Sequence, residues 1–208
     1  MEADFWHNLW KTNEIGFHKQ ETNKFLVEFF SMLNLKSNSR VLIPLCGKTL
    51  DIEWILQQGH KVVGVELNEN AIKELFISLN LDPIITMVNS FTLYSAKNID
   101  IFVGDIFELD KNILGNVDAI YDRAAIIALP LSMRTKYTHK LIELTDKVSQ
   151  LIVCYQYNKN MMDGPPFSVE ECDIKEYYKN SYNIRLLKSV KAPGFEKING
   201  YETVYLLG

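Results

Sequence analysis

Short apolar runs alternate along most of this chain with segments whose apolar residues recur every three or four positions, and few folds accommodate that order. "RVLIPL" (40–45), "HKVVGVEL" (60–67), "IDIFVGDIF" (99–107), "NVDAIYDR" (116–123) and "VSQLIVCYQY" (148–157) read as strands, mostly of the fully buried kind. "LDIEWILQQG" (50–59), closed by Gly59 as C-cap, reads as a helix, as does "ENAIKELFISLN" (69–80) behind an Asn68 N-cap. "LPLSMRTKYTHKLIELT" (129–145) is a third, with Pro130 in its first turn. Ahead of the first strand, Phe25, Leu26, Phe29, Phe30 and Leu33 share one face of an amphipathic helix. Strand–helix–strand order of this kind predicts a mostly parallel α/β sheet wound with helices on both faces.

Two segments interrupt the alternation. "DPIITMVN" and "FTLYSAK" predict a hairpin turning at Asn89-Ser90, outside the regular order. "NIRLLKSV" and "YETVYLLG" close the chain without a full helix between them, so at least one is an antiparallel edge strand. No repeat or low-complexity tract divides the 208 residues, which predicts a single domain.

"CGKT" at 46–49 ends as a Walker A motif ends. That motif needs a second glycine five positions before Gly47, and Leu42 stands there, inside a buried strand. Gly47 is also the only glycine in the loop, so a dinucleotide fingerprint fails. The formal charge of -4 argues against non-specific nucleic-acid binding. No apolar run is long enough to span a membrane. "MEADFWHNLW" carries two acids where a signal peptide needs a basic start. Cys46, Cys154 and Cys172 are odd in number and widely spaced, and the four histidines lack ligand spacing, so neither a disulfide framework nor a metal site is expected. A reducing cytoplasm is the expected setting.

In an open α/β sheet, ligands sit outside the carboxyl ends of the strands where the strand order reverses. Leu45, Cys46 and Gly47 fall there. About twenty residues on, Glu66 ends the second strand, where an acid takes the hydroxyls of a ribose. Asp105 ends the third, placed to accept an amino hydrogen from adenine, and Asp122-Arg123 end the fourth. Each has a structural alternative: a tight turn at Gly47, helix caps at Glu66 and Asp105, a surface ion pair at Asp122-Arg123. Their joint placement on one rim predicts an adenosyl site without a phosphate grip.

"VLIPLCGKTLD", "GHKVVGVEL", "GDIFEL", "YDRAAIIALP" and "GPPFSV", with the opening "FWHNLWKTNEIGFH", resemble in that order the thiopurine S-methyltransferase family over nearly the whole chain. The resemblance implies a class I S-adenosylmethionine-dependent methyltransferase fold, with residues 1–20 as an N-terminal lid. It implies a small, monomeric cytosolic enzyme that methylates thiols of aromatic heterocycles, with selenium and tellurium compounds as further acceptors of bacterial members. Carried over by position, it implies that Trp10, Leu45, Gly47, Glu66 and Arg123 contact the cofactor, that Asp105 and Ile106 flank the adenine, and that Phe17 and Arg123 line the acceptor pocket. Animal members carry a second pocket arginine near the C-terminus; this chain has no arginine after Arg185, and Lys197 is not assigned that role.

Arg123 is expected to favour the anionic form of the acceptor. Cys46 reads as a small side chain in a tight loop rather than a nucleophile, and His18 as a lid anchor through a hydrogen bond. "DGPPF" (163–167) differs from the N-P-P-Y motif of amino-group methyltransferases, since it follows the fifth strand and has glycine in place of the amide. It reads as a rigid loop at the pocket mouth. A halide or simple thiol methyltransferase, a non-catalytic adenosyl-binding protein and, more remotely, a nucleotide triphosphatase are the competing classes.

Overall fold

In the computed structural model, which describes residues 3–208, β1 (Arg40–Pro44) lies at the centre of one nine-stranded sheet. Parallel neighbours flank it: β2 (Lys61–Glu66) and then β5 (Ile99–Val103) on one side, β6 (Ala119–Arg123) and then β7 (Gln150–Gln156) on the other. The chain therefore lays β2 and β5 to one side of β1 and then crosses to the other, and that reversal opens a crevice at the carboxyl ends of β1 and β6.

Both edges are antiparallel. β3 (Ile84–Val88) and β4 (Phe91–Ala96) form the expected hairpin, with Asn89 at φ +52° in its turn, and it extends the sheet beyond β5. At the other end β9 (Tyr201–Leu207) inserts antiparallel between β7 and β8 (Ile184–Lys191). Residues 183–208 thus supply two antiparallel strands, in keeping with the expectation of at least one, and with the hairpin they give the sheet two antiparallel margins.

The alternation of side chains along β1 divides the core. Val41 and Ile43 face a layer containing Phe25, Ile52 and Ile72, whereas Leu42 faces one containing Tyr137, Leu141 and Ile174. Helices α2 (Lys24–Phe29), α3 (Asp51–Gln57) and α4 (Glu69–Ser78) cover the first face; α6 (Leu131–Thr145) and α7 (Glu171–Tyr178) cover the second. Burying each such aliphatic side chain contributes about 1.5–3 kcal/mol.

The caps follow the sequence reading at Asn68, whose side chain accepts from Ala71 N, and at Gly59, which turns at φ +81° behind α3. Pro130 stands one place earlier than expected, as the N-cap of α6 rather than inside its first turn. The expected helix over 25–33 is split: α2 gives way at Phe30 to a 3-10 turn through Leu33. Residues three apart eclipse in that tighter winding, which turns Phe30 and Leu33 inward together. Between α4 and α6 lies the one-turn α5 (Lys111–Leu114). α7 escaped the sequence reading because only Ile174 and Tyr178 of "ECDIKEYY" are buried; reciprocal capping between Glu170 and Asp173 starts it.

Helix α1 (Ala3–Lys11) has no fully buried residue and lies across the carboxyl rim of the sheet. Of the expected lid, residues 1 and 2 lie outside the described residues. No described helix is long and apolar enough to cross a membrane.

Candidate functional site

The turn after β1 is built against backbone preference. Leu45 at φ +47° and Gly47 at φ +51° both occupy the left-handed region, which costs a residue with a Cβ about 1–2 kcal/mol. Across the crevice, Ala124 follows β6 at φ +65°. Such strain is kept where the surroundings over-determine it, and it concentrates at ligand sites.

The turn is held in place by Glu66. One carboxylate oxygen accepts from Gly47 N at 2.8 Å and the other from Asn68 N at 2.9 Å. Glu66 is buried, and desolvation pushes its pKa up against the pull of these backbone N–H groups. A carboxylate offers about four lone-pair directions, so each oxygen retains one for a ligand hydroxyl. Trp10 of α1 lies against the turn: a Cβ on Gly47 would come within 3.1 Å of its indole. Cys46 is packed away from chemistry. Its Sγ would sit 2.7 Å from a Cβ on Gly64, and burial, reinforced by the charge of Glu66, raises its thiol pKa well above the ordinary value.

A cavity of about 510 Å³ opens above this turn. Trp10, Phe17, Leu45, Gly47, Glu66 and Arg123 all border it, so six of the eight residues named from the sequence share one space. The other two, Asp105 and Ile106, border a smaller hollow of about 60 Å³, and Leu45 and Glu66 line both. Asp105 has the duty its structural alternative described. Its Oδ1 accepts from Phe107 N at 2.9 Å and caps the 3-10 turn Ile106–Glu108.

The strand-end pair Asp122-Arg123 is not a surface ion pair. Asp122 points into the core, where Ile126 N and the Tyr137 hydroxyl donate to it at 3.1 Å and 2.7 Å, and burial lifts its pKa to about 6. Arg123, half-buried, borders the cavity, and its guanidinium makes no hydrogen bond or ion pair with any described residue. His18 also borders the cavity, but its ring makes no hydrogen bond with any described residue. Burial, then Lys48 and Arg123, hold its pKa down. Lys48 pairs with Glu74, which removes the lysine that a phosphate loop would need. Lys197 is exposed and lies outside both cavities.

Several wall residues were not singled out from sequence. Tyr155 of β7 and Phe195 of the β8–β9 loop stack at 4.7 Å, with planes 21° apart. Trp6 meets Phe17 edge to face at 5.8 Å, as Trp10 does at 5.3 Å. Pro165 and Pro166 of the "DGPPF" segment also line the cavity. Asp51 accepts from Asn23 N at 2.7 Å and from the Tyr121 hydroxyl at 2.9 Å, tying the segment after α1 to the sheet. Glu202 of β9 is buried in the cavity wall; the signal for it was an acid inside an otherwise apolar closing strand. Among the described residues no group of three or more His, Cys, Asp or Glu could hold a metal ion.

A strained turn at the switch point, a buried acid at the end of β2 and a hollow at the end of β5 define a class I methyltransferase architecture. The 1,6-didemethyltoxoflavin-N1-methyltransferase of Burkholderia thailandensis, solved with 1,6-didemethyltoxoflavin and S-adenosylhomocysteine bound, has this fold: TM-score 0.65 at 15% identity, over 99% of this chain and 85% of that one.

Sequence relatives carry the assignment further. The family model for thiopurine S-methyltransferase matches residues 1–202. The thiopurine S-methyltransferase of Teredinibacter turnerae is 48% identical over 93% of this chain and 90% of its own length. That of Xanthobacter autotrophicus is 44% identical over 100% and 99%. This chain belongs to the thiopurine S-methyltransferase family, whose methyl donor is S-adenosylmethionine.

The residues present fit that donor. Gly47 and Glu66 border the larger cavity, Glu66 keeps lone-pair directions for a ribose, and the apolar Ile106 borders the hollow beside it.

Proposed function

We propose that the chain methylates the sulfur of small aromatic and heterocyclic thiols, with selenium and tellurium compounds as further acceptors. One observation carries this reading: an aromatic-walled cavity of about 510 Å³ adjoins the Glu66–Gly47 turn and contains a guanidinium, Arg123, with no hydrogen-bond or ion-pair partner among the described residues. A cavity of that size exceeds the needs of a halide, and its unpaired cation suits an acceptor that reacts as an anion.

S-adenosylmethionine, when bound, supplies a methyl group on a sulfonium, open to in-line displacement. Glu66 would hold its ribose, Asp105 and Ile106 would flank its adenine, and Leu45, Gly47 and Trp10 would border the remainder. Trp10 and Phe17 offer ring faces to a cation, a contact contributing about 0.5–2 kcal/mol according to desolvation. Residues 1–20 act as a lid in this reading: closed over the rim, their aromatic side chains exclude water and hold the acceptor in line. Arg123 stabilises a thiolate over its thiol and so raises the ionised fraction at neutral pH. Lysine in its place would keep the charge and lose the planar fork.

Turnover of a thiopurine, bisulfide and iodide, measured side by side with Arg123→Ala, tests the reading. The expected result is preference for the thiopurine and loss of that turnover in the variant. Unchanged turnover and cofactor affinity in Arg123→Ala would remove Arg123 from the site. Calorimetric binding of S-adenosylmethionine without transfer to any acceptor would make the chain an adenosyl-binding protein instead.

A further inference from the structure

A thiol must lose a proton as its sulfur is methylated, and Arg123 can only stabilise the anion that remains. Three buried carboxylates border the cavity. Glu66 has both oxygens bound by backbone N–H groups, and Asp51 has its oxygens bound by Asn23 N and the Tyr121 hydroxyl. Glu202, 9% exposed, has no ion pair within 4 Å among the described residues. Its hydrogen-bonding neighbour is the side chain of Asn23, whose oxygen already accepts from Phe25 N and Leu26 N.

Register places Glu202 where an acceptor would lie between it and Arg123. Arg123 on β6 is level with Val153 on β7, while Glu202 on β9 is level with Tyr155 on β7. The two backbone positions are thus two strands apart, about 10 Å across the sheet, and offset by two residues along it. Tyr155 lies on the strand between them, with Phe195 stacked on its ring. A flat heteroaromatic ring laid on that stack would have the guanidinium on one side and the carboxylate on the other.

We propose that Glu202 is the proton acceptor for the incoming thiol. The S–H bond breaks with its electron pair left on sulfur, and the proton forms an O–H bond on Glu202. Negative charge passes from carboxylate to sulfur, so the charge facing Arg123 is unchanged. The sulfur lone pair would then make the new S–CH3 bond as the methyl group's bond to the donor sulfonium breaks, its electron pair returning to the donor sulfur to leave a neutral thioether, and Glu202 later releases its proton to water at the rim. This role rests on the S-methyl-transfer reading above.

The surroundings suit the task. Desolvation raises the proton affinity of Glu202, while Lys24, Arg123, the Asn23 side chain and Lys19 oppose that rise. From the strands packed against it, Tyr121, Cys154 and Tyr155 also face its charge. A carboxylate made more basic is better matched to a thiol than one at its ordinary value. His18, another titratable group beside Arg123, has its basicity lowered by burial, Lys48 and Arg123.

The test compares two aryl thiols in mildly acidic buffer: 4-nitrothiophenol, already ionised there, and 4-methoxythiophenol, mostly protonated. Glu202→Gln keeps the shape and removes the acceptor of the proton. Its kcat/KM is expected to fall about a hundredfold with the protonated thiol and far less with the ionised one. Glu202→Asp should recover part of the difference. The ratio of the two losses does not depend on how much variant is folded, so a purely structural role would leave it near unity. Equal losses on both thiols, or none, overturn the role of Glu202 alone. Failure of the parent enzyme to methylate either thiol would overturn S-methyl transfer, and this role with it.

Discussion

The two halves of the cavity are organised on opposite plans. On the β1–β2 side, Leu45, Gly47 and Glu66 lie within one strand–helix–strand unit, and both oxygens of the acid are bound by backbone N–H groups. On the β6–β9 side, Phe17, Arg123, Phe195 and Glu202 come from four separated segments, and neither charge has an ion-pair partner among the described residues. The first plan makes a rigid seat, because local hydrogen bonds hold a strained turn in a single shape. The second sets charges without ion-pair partners among the described residues in a poorly solvated space, where they act strongly on whatever enters.

Glu66→Ala tests the contrast most severely. It leaves the N–H groups of Gly47 and Asn68 without their acceptor, at a cost of about 3 kcal/mol in stability. Calorimetry should also show S-adenosylhomocysteine binding about a hundredfold more weakly, taking about 3 kcal/mol from its binding energy. A variant as stable and as tight-binding as the parent would erase the distinction.

Tyr137→Phe probes the support beneath Arg123. Removing the hydroxyl that donates to buried Asp122 should cost about 1–3 kcal/mol. That hydrogen bond holds the Asp122 pKa down against burial, so the variant should titrate above the parent's value of about 6. The sign follows from a folded pKa above the ordinary 3.8: the folded state is favoured while Asp122 is protonated, and that advantage fades as pH rises through the folded value. Urea unfolding should therefore show the largest deficit of the variant above about pH 6.

Gly47→Ala strains the rigid half directly. A left-handed φ costs alanine about 1–2 kcal/mol, and its Cβ would press on Trp10 at 3.1 Å. Weaker S-adenosylhomocysteine binding and a shifted tryptophan emission are the expected readouts. Met87→Lys, on the exposed edge strand β3 far from both halves, should change stability by less than about 0.5 kcal/mol and leave turnover alone. A large effect there would mean that the hairpin communicates with the site.

Legibility in the sequence followed the same division. The turn at Leu45–Gly47 and the acid at Glu66 could be located because a buried strand, a glycine and a strand-end acid keep fixed spacing within one βαβ unit. Glu202 could not, since its meaning depends on β9 inserting beside β7 and bringing it level with Tyr155. Asp122 and Arg123 were found together, but their separation into a core acid and a cavity cation reflects the alternation of side chains at the end of β6. Asp105 was placed correctly on the rim, while its bond to Phe107 N is a local detail of the turn that follows.

Apolar periodicity and strand-end residues predicted, from the sequence alone, a mostly parallel sheet and the rim on which Leu45, Gly47, Glu66 and Asp105 follow its strands. These are properties of short segments, where hydrophobic pattern and backbone sterics act over a few residues. Only the tertiary structure decided that β9 inserts between β7 and β8, that the Arg123 guanidinium has no hydrogen-bond or ion-pair partner among the described residues, and that a buried carboxylate from the last strand lines the same cavity. Strand insertion order and desolvation are set by contacts between segments far apart in the chain, and no local pattern encodes them.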